Sequence, residues 1–172
     1  RVYEWDLVQS GRVYGSIAML AGSAGVLSGP FVLRYMSKIN VNAPHFKLAI
    51  IGITMATFSL VLLPFQPNVN IALVFVTMAS FFVTLPLAGT SSAMVIVSPN
   101  RIRGVITGIY VVVTSVFGLV LGPFLVASST DFIFQDTNAV AKSLALVSVL
   151  VGPIGIFFMF KGINSFGEIK NV

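Results

Sequence analysis

The sequence predicts an all-α protein built as a bundle of five transmembrane helices. Hydrophobic residues make up 56% of the chain and charged residues only 9%, whereas a soluble domain carries roughly 25% charged residues. The apolar residues also fall into five long runs, each at least as long as the roughly 20 residues that a helix needs to cross a bilayer. Because so few charges could not cover a water-facing surface, we expect an integral membrane protein that contacts the lipid bilayer.

The composition argues against several other classes of protein. The net charge is +5, but the basic residues are scattered without the stripe or motif that binds nucleic acid, so we expect no nucleic-acid partner. The chain has no cysteine, which excludes disulfides and cysteine-ligated metal. His45 has no second candidate ligand near it in the sequence, and no catalytic spacing such as H-E-x-x-H is present. We therefore expect no enzymatic activity, no cofactor and no metal.

The first predicted helix covers residues 13–32 and is rich in small side chains. Ala21, Gly25 and Gly29 recur at every fourth position, which places them on one face and lets a neighbouring helix approach closely. After a polar loop, the second predicted helix covers residues 46–65. It ends in a proline-containing tight turn.

The third predicted helix, residues 70–97, is longer than a membrane crossing requires. Pro86 lies in its middle and removes a backbone hydrogen bond, so we expect a kink there. The kink is either purely structural, since proline is common in membrane helices, or it exposes hydroxyl and carbonyl groups to a solute in an aqueous cavity. On this helix, the candidates for contact with a solute are Thr84, Thr90, Ser91 and Ser92.

The fourth predicted helix covers residues 102–128 and contains two further G-x-x-x-G steps, formed by Gly104, Gly108, Gly118 and Gly122. Tyr110 and Thr114 follow helical spacing together with Thr107. They are further candidates for solute contact, and a lipid-facing or packing role is the alternative. A hydrophilic loop at residues 130–138 leads to the fifth predicted helix, residues 139–160, which contains an internal Gly-Pro pair.

The distribution of basic residues predicts the orientation of the five helices. Since consecutive helices alternate in direction, one side of the membrane receives seven basic residues, namely Arg34, Lys38, Lys47, Arg101, Arg103, Lys161 and Lys170. The other side receives three, namely Arg1, Arg12 and Lys142. The positive-inside rule then places the C-terminus in the cytoplasm and the N-terminus outside, in an inner or plasma membrane.

One pattern, G-x-x-x-G-P-F, occurs twice, at residues 25–31 and 118–124. The two copies lie on the first and fourth predicted helices, which the alternation makes antiparallel. This is the arrangement of an inverted-topology repeat of three helices, as found in many transporters. Two such repeats contain six helices, so we expect one more helix before Arg1. These motif residues serve either tight packing inside the bundle or rocking of helices against each other. They are Gly25, Gly29, Pro30, Gly118, Gly122 and Pro123.

Three segments carry a resemblance to a known family. Residues 99–104 read P-N-R-I-R-G and resemble the P-x-R-x-R-G loop before the Gly-rich eleventh helix of major facilitator superfamily transporters. Residues 118–136 resemble the spinster-like and organic-anion symporter branches. The loop after the first helix resembles the superfamily motif G-x-x-x-D-R-x-x-R/K. Here it reads Gly29, then Leu33-Arg34 with Leu33 where the family has an acid, then Lys38, which lies one position beyond the motif's last basic residue.

The resemblance covers essentially the whole chain and implies helices eight to twelve of a twelve-helix secondary transporter. It implies that the complete protein moves a small solute by alternating access, with an N-terminal half of the same protein as partner. The segment around Pro86 would line the cavity. The cytoplasmic loop motif comprises Arg34, Lys38, Arg101, Arg103 and Gly104, which serve either as topology markers at the headgroups or as gate contacts to the other half.

A second class of function remains open from the sequence. A free-standing five-helix membrane subunit with a scaffolding or assembly role would have the same composition but no transport activity. No ionisable side chain lies well inside any of the five predicted helices, and such a residue is the usual marker of a proton relay or a charged-substrate site. The uncharged helices therefore favour a neutral or amphipathic solute, with any charge specificity located in the other half.

Overall fold

The computed structural model describes residues 6–87, 89–90, 94, 98–136 and 139–169. In these ranges the chain is helical and contains no strand. The helices are α1 (Leu7–Lys38), α2 (Pro44–Leu62), α3 (Val69–Thr84), α4 (Arg103–Phe134) and α5 (Val140–Ile169). The predicted all-helical class is confirmed. By length and composition, four of these helices can cross a membrane, and α3 is a shorter apolar helix of 16 residues.

The helix α1 is longer than predicted at both ends. It begins at Leu7, six residues before the predicted start. It ends where Asn40 adopts a left-handed conformation with a φ of 54°. The amide of Val41 then donates to the carbonyl of Met36 at 3.0 Å, which closes the helix with the hydrogen bond typical of a Schellman motif.

The helix α4 also extends past its predicted end, to Phe134. Two of its segments, Val116–Leu121 and Ser129–Phe134, are π-helical. In the second of them Ser129 and Thr130 donate to the carbonyls of Leu125 and Val126, at 2.7 and 2.9 Å. The predicted loop from 130 is therefore helical as far as Phe134, because these hydroxyls bond to their own helix instead of to water. The helix α5 likewise continues to Ile169, past the predicted end at 160.

The helix α3 stops two residues before Pro86, which agrees with the interruption expected there. Proline has no amide hydrogen to donate to the carbonyl four residues earlier, which belongs to Phe82. That carbonyl faces Gly52 of α2, where an added Cβ would lie 2.7 Å from the oxygen. A helical turn resumes after the proline, since the amide of Thr90 donates to the carbonyl of Pro86 at 2.9 Å.

The helices pack in the order α1, α3, α2, α5, and α4 joins this row through contact with α5. A small apolar core lies where α1, α2 and the end of α3 meet. It consists of Leu33, Leu48 and Leu85, with Phe81 and Phe82 packed against it. Leu48 is only 1% exposed, so this cluster is the best-buried apolar part of the described chain.

The contacts fix the relative direction of α1, α2 and α3. Gly25 of α1 lies against Phe81 and Leu85, and Leu33, two turns further along α1, lies against Gly89. The contacts therefore advance together along both segments, so α1 and α3 are parallel. On α2, Gly52 faces Pro86 whereas His45, earlier in the chain, faces Gly89, so α2 is antiparallel to α3.

The remaining contacts link α2 to α5 and α5 to α4. Gly152 of α5 meets Thr57 of α2, and Gly162 meets Phe46, so these two helices are antiparallel. The hydroxyl of Thr130, near the end of α4, donates to Ser143, near the start of α5, at 2.8 Å. With α4 antiparallel to α5, α1 and α4 run in opposite directions.

Candidate functional site

Two of the predicted solute-contact residues come together next to Pro86. The hydroxyl oxygens of Thr90 and Tyr110 lie 3.5 Å apart, and either can donate. Thr90 also lies within 3.2 Å of the carbonyl of Pro86 and 3.1 Å of that of Leu87. Both side chains are half-buried. This uncharged pair joins α4 to the segment that follows α3, and it can both donate hydrogen bonds to a solute and accept them.

The other predicted residues take different positions. The hydroxyl of Thr114 is on an exposed residue and lies within hydrogen-bond distance of two carbonyls of its own helix, those of Tyr110 at 2.7 Å and Val111 at 3.1 Å. Thr107 makes the same kind of bond to Arg103 at 2.9 Å. Ser91 and Ser92 lie outside the residues that the structure describes.

Thr84 lies between two helices. Its hydroxyl is 3.0 Å from the carbonyl of Gly22 on α1 and within 3.1 Å of two carbonyls of its own helix, those of Ser80 and Phe81. A hydroxyl carries one proton and can fully donate to one acceptor at a time. The contact with Gly22 therefore gives Thr84 a role in the packing of α1 on α3, where the carbonyl comes close only because Gly25 leaves room.

Replacing Thr84 with valine is expected to lower the stability of the protein by about 0.5–1.5 kcal/mol, because the interhelical hydrogen bond is lost at nearly constant side-chain volume. The matched control is Thr77→Val on the same helix, where the hydroxyl bonds only the carbonyl of Leu73 in its own backbone. Unfolding in detergent micelles, followed by circular dichroism, measures the difference. Equal effects of the two substitutions would contradict an interhelical role for Thr84.

The residues of the predicted cytoplasmic motif come from two places in the chain. Arg34 and Lys38, predicted in a loop after the first helix, lie in the last turns of α1. Arg101 precedes α4, and Arg103 and Gly104 begin it. Arg34, Lys38, Arg101 and Gly104 are exposed, and Arg103 is half-buried. The Nε atom of Arg103 is buried and has no hydrogen-bond partner within the described ranges. Leu33, at the position where the resembled family has an acid, belongs to the apolar core with Leu48 and Leu85. An acid at this position would have to be buried among leucines, which accounts for the apolar residue that α1 carries here.

The two copies of the repeated motif have different surroundings. Gly25 and Gly29 are buried, and a Cβ added to Gly25 would collide with backbone atoms of α3. At Gly118 and Gly122, by contrast, an added Cβ would meet no atom within 4 Å. Pro123 cannot donate to the carbonyl of residue 119, which accounts for the π-helical turn that precedes it.

A cavity of about 600 Å³ lies between α4 and α5. Its walls are mainly apolar, and Thr130 and Asp131 are the polar residues among them. The apolar residues include Gly122, Pro123, Val126, Val140, Leu144 and Val147. At one end of it, the buried hydrogen bond from Thr130 to Ser143 joins the two helices. This bond was not among the sequence-based predictions. Two hydroxyl residues on either side of a short interhelical connection were the only available signal.

Comparison with protein-family models, with curated proteins and with solved structures finds no match to this chain. Its class follows from the fold: long apolar helices make it an integral membrane protein. In the described part of the chain, no three His, Asp or Glu side chains lie close enough to hold a metal ion. The inference of function therefore rests on the arrangement of the helices and on the uncharged groups between them.

Proposed function

We propose that this chain forms most of the C-terminal half of a secondary transporter, which moves a small solute across the cell membrane by alternating access. The observation that carries the proposal is the antiparallel pair α1 and α4, each bearing G-x-x-x-G-P-F. Inverted repeats are a common architecture of secondary transporters and give the two lobes similar alternative arrangements. A scaffold subunit has no need for such symmetry.

The contacts between helices support the same division into repeats. The first repeat contains α1 and α2, and the second contains α3, α4 and α5. The contact of α1 with α2 corresponds to that of α4 with α5, and the contact between α2 and α5 joins the two repeats. These are the contacts that a pseudo-twofold axis in the membrane plane between α2 and α5 would produce, as in inverted repeats.

The Thr90–Tyr110 pair is the proposed contact with the solute. It lies after the helix interruption at Pro86 and joins the segment after α3 to α4. Since neither hydroxyl is charged, the pair fits a neutral or amphipathic solute. A charged solute or a coupling proton would need an ionisable group in the other half of the transporter.

Accessibility of a single cysteine tests alternating access before any solute is known. The complete protein, encoded by the full open reading frame and freed of any other cysteine, would carry Thr90→Cys. We expect an impermeant methanethiosulfonate to label it when added from either side of reconstituted liposomes, because an alternating site opens to both. The control Val83→Cys, on the exposed surface of α3, should label slowly from both sides. Labelling of Thr90→Cys from one side only, or from neither, would contradict the proposal and favour a scaffold.

Uptake measurements test the role of the hydroxyl pair. With a panel of radiolabelled neutral and amphipathic solutes, we expect Tyr110→Phe and Thr90→Val to reduce uptake about threefold to tenfold, the effect of losing one hydrogen bond. Thr114→Val, which removes a hydroxyl bonded to its own helix, should leave uptake unchanged. Liposomes that contain only these 172 residues should show no uptake, since a central cavity requires both halves.

A further inference from the structure

We infer that the π-helical turn Val116–Leu121 of α4 is a joint between two helical registers, and that its conversion to an α-helix replaces Tyr110 with Val111 opposite Thr90. The observations are the turn itself, its surroundings and the matching segment of α1. The role of this exchange in solute binding rests on the proposed function, because Thr90 and Tyr110 are the proposed solute contact. The exchange of the two residues does not depend on that function.

The sequence pattern around the turn is found in both registers. A proline ring crowds the carbonyl four residues earlier and offers it no amide hydrogen, so it disfavours the α register there. In α4 the turn before Pro123 is widened to a π turn. In α1 the segment before Pro30 remains α-helical, although it has the same pattern G-x-x-x-G-P-F. Both registers are therefore compatible with this pattern.

Packing distinguishes the two copies of the pattern. In α1, Gly25 and Gly29 are buried, and Gly25 lies against the backbone of α3. The structure describes every residue of α4 from 103 to 121, and none of them is buried. An added Cβ at Gly118 would meet no atom within 4 Å. Within the described ranges, therefore, no neighbouring helix holds this turn in one register. Such π turns are rare inside α-helices and are frequent at functional sites.

The turn lies between two attachments of α4 to its neighbours. After the turn, the hydroxyl of Thr130 is bonded to Ser143 of α5 at 2.8 Å. Before the turn, the hydroxyl of Tyr110 lies 3.5 Å from that of Thr90. A change of register between these points therefore moves the segment that carries Tyr110 while the end of α4 stays attached to α5.

Helix geometry identifies the residue that replaces Tyr110. A π turn pairs residues five apart instead of four, so it contains one residue more than an α turn. When the turn becomes α-helical, the part of α4 before it rotates by about 100° and shifts by about 1.5 Å, the step of one residue. The place of Tyr110 then passes to the next residue along the chain, Val111. Ile109 turns further away from Thr90.

The exchange changes the chemistry opposite Thr90. Tyrosine has a hydroxyl that donates and accepts hydrogen bonds, whereas valine presents only an apolar surface. The hydroxyl of Thr90 keeps its contacts with the carbonyls of Pro86 and Leu87 in both registers, since these belong to its own segment. A solute that bonds to Tyr110 therefore favours the π register. This difference in contacts couples solute binding to the conformation of α4.

Cross-linking in the complete protein, freed of any other cysteine, tests the exchange. Thr90→Cys is combined in turn with Ile109→Cys, Tyr110→Cys or Val111→Cys, and each double variant is treated with a short homobifunctional thiosulfonate. The control position is well matched, because Ile109 is 59% exposed and Val111 is 53% exposed.

Trypsin provides the readout. Arg101 and Arg103 lie between the two cysteines, so digestion of the denatured protein separates them unless they are linked, and mass spectrometry measures the linked peptides. We expect linkage to both Tyr110→Cys and Val111→Cys, because each register brings one of them to position 90. Linkage to Ile109→Cys should stay at background.

The substitution Pro123→Ala should favour the α register, because it removes the crowding ring and supplies an amide hydrogen. We expect the ratio of the Val111 product to the Tyr110 product to rise about threefold to tenfold, the effect of gaining one hydrogen bond. Deleting Leu119 from this variant removes the additional residue of the turn and should reverse the change. The matched control is Pro30→Ala, in a helix that is already in the α register, and it should leave the ratio unchanged.

Equal linkage at Ile109 and Val111 would show that α4 only rocks about its axis, and absence of linkage at Val111 would show a fixed register. Each result overturns the inference, and so does a product ratio that Pro123→Ala leaves unchanged. These outcomes are distinct from failure of the transport proposal. That proposal is tested by labelling of Thr90→Cys from the two sides of the liposome, in a protein whose α4 is unaltered.

Discussion

The substitution Gly25→Leu is expected to separate α1 from α3 and to leave little folded protein. A Cβ at this position would collide with the carbonyl of Phe81 and the side chain of Thr84 and would lie 3.3 Å from the amide of Leu85. Backbone atoms cannot rotate away as a flexible side chain can. The cost should therefore exceed the roughly 1–3 kcal/mol typical of overpacking, which is a large part of the stability of a small domain.

The matched control is Gly15→Leu, two to three turns earlier on the same helix, where an added Cβ meets no atom within 4 Å. Size-exclusion profiles and thermal unfolding in detergent micelles report the folded fraction of each variant. The control should behave like the parent protein. If both variants unfold at the same temperature, the close contact between α1 and α3 does not hold the bundle together.

The substitution Leu33→Asp is expected to destabilise the bundle by at least about 3 kcal/mol. Leu33 is buried against Leu48 and Leu85, and a charged carboxylate placed there would lose its hydration without gaining a partner. The experiment also asks whether an acid at this position, as the resembled family has it, is compatible with this particular core. Limited proteolysis and chemical unfolding in micelles measure the loss.

Two further variants identify the physical reason for that loss. Leu33→Met keeps the volume and the apolar surface, and we expect a change below about 1.5 kcal/mol. Leu48→Ala leaves a cavity in the same cluster, and we expect a cost of about 2–5 kcal/mol. A protein that tolerates Leu33→Asp as well as Leu33→Met would show that position 33 is hydrated in the folded state, which contradicts the buried core.

The sequence was sufficient to predict the all-helical membrane class and the positions of most helices, because apolar runs of this length rarely form any other structure. The interruption at Pro86 was also predictable, since it follows from a missing amide hydrogen. The position at which α4 ends could not be predicted. Thr130 has the composition of a loop residue, but its hydroxyl bonds to Val126 and Ser143. Whether a hydroxyl bonds water or its own helix depends on tertiary surroundings that hydropathy does not encode.

The sequence was enough to choose the candidate residues of the site, but it was not enough to predict which of them come into contact. Thr84 and Thr90 have the same side chain and lie six positions apart. One bonds a carbonyl of α1, whereas the other lies beside Tyr110. The interruption of the helix at Pro86 lies between them and changes which neighbours each side chain can reach. Helical periodicity cannot predict side-chain directions beyond such an interruption. The unequal burial of the two glycine motifs could not be predicted either, because the shared pattern G-x-x-x-G-P-F does not say which neighbour is present.

The bond between Thr130 and Ser143 holds α4 to α5 near one tip of a rod that is 32 residues long, or about 48 Å at 1.5 Å per residue. A tilt of about 10° at that tip sweeps the far tip, near Arg103, through about 8 Å. A rod of this length would convert a small tilt near Thr130 into a wide displacement near Arg103.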